Sequence, residues 1–342
     1  MTMDMKPTRP RGIVAIDAEM ARQHGDTLET FTANRARAAE VAASIRKSGR
    51  LLMLGMGASH AVGRMVEPIY RRLGIEAIAL PLSEQLYQPL ALTGRTVLVA
   101  SQSGESAEVH RLFESQPPHA ETYGLTMSPD SFLAQTVPSL IGAGGGEVAF
   151  AGTRSLTVTL AMHMAILAEL GEDVAPAIAR LSTPESPDVE TAVRHFAKVG
   201  AIATSGRALQ GVAEALALGL AELSRIPCFS HEGGQLRHGP MEMLGPHIGV
   251  VLLRGAEPTA ELVAGLARSV AEAGSPVVVL DASGDAPVTG NGIVSIPAAA
   301  GGGLAAIFAL LPVAQSFMVE FALSRVADAG TPVRSSKITR SE

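Results

Sequence analysis

Leu98-Val99-Ala100-Ser101-Gln102-Ser103-Gly104-Glu105-Ser106-Ala107-Glu108-Val109 is the stretch that decides how this chain folds. The apolar run from Thr96 to Ala100 reads as a buried parallel strand. It stops at Ser101, and a helical spacing resumes with Ala107, Val109, Leu112 and Phe113. Three hydroxyls and a glycine therefore sit on a strand-to-helix turn. Free N–H groups at a helix start attract anions, and short hydroxyl side chains add donors without blocking approach. The turn lacks the lysine of a nucleotide-binding P-loop, which argues against a triphosphate with magnesium. A phosphate monoester on a small metabolite fits better, although an ordinary serine-rich N-cap has the same composition.

A second turn has the same order. Arg50 to Leu54 is strand-like and runs into Gly55-Met56-Gly57-Ala58-Ser59-His60-Ala61-Val62-Gly63. The glycines imitate a dinucleotide fingerprint, but the last interval is too long. That fingerprint also wants an acid about 20 residues on, at the end of the next strand. Here Ala77 to Leu80 ends in Pro81-Leu82-Ser83, with Glu84 beyond. Ser59, at a helix start, suits a second phosphate or sugar contact.

Composition sets the outer bounds. The 342 residues are 47% apolar and 18% charged, enough for two domains of ordinary size with a substantial core. The net charge of −6, with scattered Lys and Arg, argues against nucleic acid or an anionic membrane as partner. A single cysteine, Cys228, excludes an internal disulfide and suits a reducing cytoplasm. No zinc-ligand spacing occurs, and the reading calls for no metal or other cofactor. Residues 1–12 are polar and contain prolines, so they read as a flexible tail and not a signal peptide. Leu304 to Ala322 is largely apolar, but Pro312, Gln315, Ser316 and Glu320 make it a core or interface helix rather than a membrane span. Leu156 to Leu170, with Thr157, Thr159 and His163 inside, reads the same way.

Strands and helices alternate along the rest, the pattern of an α/β fold with doubly wound parallel sheets. Ile13 to Lys47 has helical spacing, with Thr27 or Thr30 as plausible caps. Strands are expected near 51–55, 76–80, 96–100, 121–126 and 138–142, and a helix over 153–170. Thr183-Pro184-Glu185-Ser186-Pro187-Asp188 opens a polar linker, 183–190. Beyond it the order repeats, with strands near 199–204, 248–253, 277–280 and 293–296 and helices to about Arg225, over 259–273 and over 304–327. The expected units are thus 13–182 with an N-terminal helical segment, 191–330, and a C-terminal tail 331–342. The copies differ at the decisive turn, where Arg254-Gly255-Ala256-Glu257 stands opposite Ser101 to Ser106. Phosphate binding therefore belongs to the first half.

Together these features resemble the sugar isomerase (SIS) domain family, over about residues 30–330 as two tandem, flavodoxin-like SIS domains. The resemblance is strongest to the isomerase half of glucosamine-6-phosphate synthase and to free-standing amino-sugar-phosphate deaminases, aldose–ketose isomerases and deglycases. Gly57-Ala58-Ser59 looks like the family's GTS turn, and Ser101 to Ser106 like its SQSGET phosphate loop. Glu147-Val148-Ala149-Phe150-Ala151-Gly152-Thr153-Arg154 looks like the substrate-lining E-x-x-V-A-S-T-K, with Gly152 and Arg154 replacing serine and lysine. Gln235-Leu236-Arg237-His238-Gly239-Pro240 looks like ELKHGP, and Ser336-Lys337-Ile338-Thr339 like a tail whose lysine reaches the open sugar.

The resemblance implies an acid–base pair, a glutamate near a helix end and a histidine sixteen residues later; Glu222 and His238 keep that spacing. Unaided, Glu222 is also a solvated helix-end carboxylate and His238 an ordinary loop histidine. The implied roles are ring opening for His238, C1–C2 proton transfer for Glu222, and covering of the open chain for Lys337. Ser59, Ser101, Gln102, Ser103 and Ser106 would hold the phosphate, and Gly57, Ala58, Glu147, Phe150 and Thr153 would line the sugar. Gly219 stands where the synthase has a lysine, and residue 2 is Thr rather than a glutaminase cysteine, so this chain alone should not use glutamine. The implied function is interconversion of glucosamine 6-phosphate and fructose 6-phosphate. A deglycase of fructosyl- or glucosyl-amino-acid phosphates and a non-catalytic sugar-phosphate sensor are the alternatives. A homodimer with the active site at the subunit interface is implied too, and the long apolar helices 153–170 and 304–327 offer surface for it.

Overall fold

A computed structural model of the chain describes residues 9–185 and 187–339. Most of the expected N-terminal tail, Thr2 with it, Ser186 of the linker and the last three residues lie outside the described residues. Two five-stranded sheets form the frame, and every strand pairing in them is parallel. The first contains β1 (Arg50–Gly55), β2 (Glu76–Pro81), β3 (Thr96–Ala100), β4 (Thr122–Thr126) and β5 (Ser139–Ile141), in the order β2-β1-β3-β4-β5. The second contains β6 (Ala201–Ser205), β7 (Cys228–Ser230), β8 (Ile248–Gly255), β9 (Val277–Ala282) and β10 (Ile293–Pro297), in the order β10-β9-β8-β6-β7. Counted from its own first strand, each sheet runs 2-1-3-4-5, so the duplication expected from sequence is a duplication of topology.

The helices are α1 (Arg11–Ala33), α2 (Arg35–Ser48), α3 (Gly57–Arg72), α4 (Leu82–Tyr87), α5 (Ala107–Ser115), α6 (Phe132–Thr136) and α7 (Arg154–Leu170) in the first half. α8 (Ala175–Ser182), α9 (Glu190–His195), α10 (Gln210–Ser224), α11 (Gly233–Arg237), α12 (Ala260–Glu272) and α13 (Gly303–Leu323) follow. Both faces of each sheet are covered, as parallel sheets require. Alternation along β1 shows how: Leu51 and Met53 face a central apolar cluster, while Leu52 and Leu54 join Val97, Val99, Val109 and Leu112 on the outer face. The central cluster runs through α3, α7, α10 and α13 and ties the two sheets together. A third cluster packs α12 on the outer face of the second sheet.

Three expectations change. Thr27 and Thr30 cap nothing: they lie within α1, and their hydroxyls donate to the Gln23 and Asp26 carbonyls one turn back. The break falls at Asn34, whose amide donates to the Thr30 and Ile141 carbonyls and accepts from the Ile141 N–H. The second half has a fifth strand, β7, three residues long behind Pro227, too short for a period-2 signal. Finally, the long apolar helices spend their surface inside the chain. In α7 every residue from Arg154 to Leu167 is buried, and α13, whose most apolar window has mean hydropathy 1.8, is 78% buried there. These helices leave little apolar surface over for a partner.

Candidate active site

The two turns singled out in the sequence meet at one cleft beyond the C-terminal ends of β1 and β3, where open parallel sheets place their ligands. The cavity measures about 370 Å³. Met56, Gly57, Ala58 and Ser59 form one wall at the start of α3. Ser101, Gln102, Ser103 and Ser106 form another at the start of α5. Leu218 and Glu222, one helical turn apart, reach in from α10, so the second half supplies part of the first half's pocket. Residues 335–339 of the C-terminal tail close over it.

The Ser101–Ser106 turn is held by its own hydroxyls. Ser101 Oγ accepts from the Gly104 N–H at 3.1 Å, and Ser103 Oγ from the Glu105 N–H at 3.2 Å, which tightens the loop. Gly104 sits at φ +67°, and a Cβ there would come within 2.1 Å of Ser131 Oγ, so only glycine fits. Ser106 is the N-cap of α5, yet its side chain makes no capping hydrogen bond and stays available to a ligand. The corresponding turn of the second half is already filled. Arg254 is buried and pairs with Asp281 and Asp285, each at 2.9 Å, and it also donates to the Ala260 and Ala286 carbonyls.

Across the cavity stand the ionisable groups. Lys337 Nζ lies 2.9 Å from Glu147 Oε2 and 3.3 Å from the Phe150 carbonyl. Glu147 is fully engaged: Oε1 accepts from the Thr153 and Ser155 N–H groups, and Oε2 from Ser155 Oγ at 2.7 Å. Burial pushes the Glu147 carboxyl up, but Lys337 and these donors outweigh it and hold it below the ordinary carboxylate range. Among the described residues none donates a hydrogen bond to Glu222. Burial pushes it up to about 7, with the Lys337 charge opposing and the Glu147 charge adding to the rise. A carboxyl poised there exchanges protons near neutral pH.

Most of the sequence-predicted residues therefore share one cavity: Gly57, Ala58, Ser59, Ser101, Gln102, Ser103, Ser106, Phe150, Glu222 and Lys337. Glu147 and Thr153 stand one layer behind its wall, buried beneath Lys337. His238 is outside it. It follows α11 on an exposed loop before Gly239, which takes φ +107°, and it does not line the Glu222 pocket of its own chain. Sequence reading missed the apolar side of the pocket, Met56, Val62, Leu82, Leu156 and Leu218, and the polar Glu108, Ser155 and Thr159. The apolar members carry no chemical signature in sequence. Ser155 stands next to Arg154, the last residue of the lining motif, and was within reach.

Comparisons with known proteins agree with the fold. Residues 196–325 match the model of the SIS domain. The chain is 25% identical over 251 residues to a glutamine–fructose-6-phosphate aminotransferase (isomerizing) of Sulfurisphaera tokodaii, covering 70% of this chain and 42% of that protein. It is 30% identical over 234 residues to the same-named protein of Gloeobacter violaceus, covering 60% and 37%. The chain thus spans less than half the length of these curated relatives. In fold it is similar to the C-terminal domain of glucosamine-fructose-6-phosphate aminotransferase from Francisella tularensis, with TM-score 0.80, 18% identity, and coverage of 97% of this chain and 100% of that one. Tagatose-6-phosphate ketose/aldose isomerase from Escherichia coli gives TM-score 0.78 at 19% identity, covering 96% and 100%. Glucosamine-6-phosphate deaminase from Thermotoga maritima gives 0.69 at 21%, covering 92% and 99%.

Proposed function

We propose that this chain, which carries an SIS domain over residues 196–325, is a phosphosugar isomerase acting on an amino-sugar or ketose 6-phosphate by proton transfer between C1 and C2. The reaction favoured is interconversion of glucosamine 6-phosphate and fructose 6-phosphate with release or uptake of ammonia. The observation that carries it is the placement of Glu222, pushed up to about 7, in the same cavity as the uncommitted hydroxyl of Ser106 and the Ser101–Ser103 turn. Neutral donors at two helix starts hold the phosphate, and a phosphate bound away from the reacting carbons fixes their orientation. The proton on a carbon next to a carbonyl or imine is weakly acidic, and Glu222 takes it from one carbon and returns it to the other. Lys337 stands by the open-chain end, and His238 serves ring opening. Ring opening then needs His238 of the partner subunit, since a chain's own His238 does not line the cavity that holds its Glu222.

Lys337 is the one cation among the described lining residues, and Glu147 already neutralises it. An amino-acid carboxylate would find no free counter-ion on these walls, which ranks a deglycase behind the amino-sugar reading. A sensor needs no carboxyl poised near neutrality. The test is a coupled assay of the purified protein across phosphorylated aldoses, ketoses, amino sugars and glycated amino acids, reading ammonia and ketose together. Ketose and ammonia from glucosamine 6-phosphate, lost in Glu222→Gln, is the expected result. Turnover of the best substrate at the wild-type rate in Glu222→Gln defeats the reading.

A further inference from the structure

Arg154 is fully buried at the start of α7 and does not itself line the cavity, and no step above uses it. Its guanidinium is bound on every side. Nε donates to Glu19 Oε2, and Nη1 to Asp26 Oδ2 at 3.0 Å and to the Ala143 carbonyl at 3.2 Å. Nη2 donates to the Gly145 carbonyl at 3.0 Å. Both acids come from α1, more than a hundred residues away in sequence. Glu19 has a second grip: its other oxygen accepts the Val148 N–H at 2.8 Å. The same turn is bound by Thr30, whose hydroxyl accepts the Ala143 N–H, and by Arg22, which donates to the Gly144 carbonyl. Gly144 is at φ +77°, and a Cβ there would lie 2.2 Å from Asp26 Oδ2, so the turn and the charged cluster are fitted to each other.

What this turn carries is Glu147, which sits between the Arg154-bound Gly145 carbonyl and the Glu19-bound Val148 N–H. We infer that the buried Glu19–Arg154–Asp26 cluster is the positioning device of the site: it fixes the 143–148 turn, the turn fixes Glu147, and Glu147 fixes Lys337 and the closed tail. α1 thereby becomes part of the active-site scaffold, and Arg154 a positioning residue. Lysine at this place has one donor centre and could not span two carboxylates and two carbonyls. The consequence for turnover rests on the proposed isomerase reading; the consequence for the tail does not.

The test uses the full chain and the lysine-specific endoproteinase Lys-C. Cleavage after Lys337 releases residues 338–342, read by mass spectrometry, while Lys47 and Lys198 serve as internal references. Hydrogen bonds to charged groups are the stronger ones, so Glu19→Gln should raise release at Lys337 by about tenfold and leave the references unchanged. Glu147→Gln should do the same. Where Glu19→Gln fails to fold, Arg154→Lys carries the same expectation. Release at the wild-type rate in Glu19→Gln, or in Glu147→Gln, overturns the inference. So does a rise of equal size at all three lysines, which would mark general loosening. With an active substrate in hand, Glu19→Gln should lower kcat by about tenfold and leave KM within about twofold, because the phosphate turn is untouched. A protein that turns over no phosphosugar but shows the selective release defeats the functional reading and leaves the positioning one standing.

Discussion

Glu222 shows how one residue can be set by its surroundings. Its helix position says only that it can face Leu218's side of α10; burial in a cavity with few donors pushes its carboxyl up to about 7. The proposed proton transfer needs the base form, so kcat/KM should climb about tenfold per pH unit below about 7 and level off above it. Glu222→Gln should cut kcat by about 10²-fold or more and abolish that limb, measured on the best substrate of the panel. The same burial costs stability, with a definite sign. A carboxyl whose folded value lies above its unfolded one favours the fold in its protonated form. That contribution is whole below the ordinary value near 4.5 and is lost as pH rises to about 7. Thermal denaturation should therefore place Glu222→Gln above wild type at pH 8, by on the order of 2 kcal/mol, and level with it near pH 4. Equal melting at both values would show that Glu222 is not held in its raised state. If the Ser101–Ser106 turn holds the substrate phosphate as proposed, Ser103→Ala and Ser106→Ala should each raise KM about tenfold with kcat nearly kept, since each then loses a hydrogen bond to a charged group.

α10 shows why position 219 does not readily take a lysine. Gly219 is buried against α13, and a Cβ on it would meet Met318 Sδ at 2.2 Å. Gly219→Lys should destabilise the protein by about 1–3 kcal/mol in chemical denaturation, since its long side chain must push into α13, whereas Gly219→Ala asks only the flexible Met318 side chain to shift and gains helix propensity. An unchanged denaturation midpoint in Gly219→Lys would mean that α10 and α13 can part more easily than their packing suggests. The same helix pair marks the limit of sequence reading. The β1 and β3 strands and the turns after them were legible because continuous apolar runs end abruptly in glycine and serine. The strand β7 was not, being three residues long, and the threonines of α1 look like caps although their hydroxyls bond back along the helix. Nor was Arg154 legible as more than a replaced lysine: Glu19 lies 135 residues earlier, and no local spacing links the two. Glu147 was placed near the sugar by motif, but its actual work, holding Lys337 from behind the wall, follows only from packing.

The whole molecule raises the question of where the site is completed. Sequence reading assigned apolar helices to a dimer contact, yet α7 and α13 are the central layer joining the two sheets, so that ground for a dimer is gone. A different ground replaces it. The cavity holds Glu222, Lys337 and the serine turns, while His238 stands exposed at the end of α11, outside the cavity of its own chain. In a closed two-fold assembly each cavity could receive the other subunit's histidine, and two-fold symmetry makes both sites complete together. This arrangement predicts complementation. Glu222→Gln and His238→Ala proteins, each inactive on a ring-closed substrate, are mixed and allowed to exchange subunits. In the mixed dimer one site carries both defects and the other carries neither. At equal amounts and free exchange, about half the dimers are mixed, so about a quarter of wild-type activity should return. Sedimentation should accompany the assay, with a species near twice 35.3 kDa at micromolar concentration. If each chain uses its own His238, mixing restores nothing, because each site then keeps the defect of its own chain in every dimer. A mixture that stays inactive while subunit exchange is verified by mass would move ring opening back to a group within the chain's own cavity, with Glu108 the next carboxylate on its wall to test.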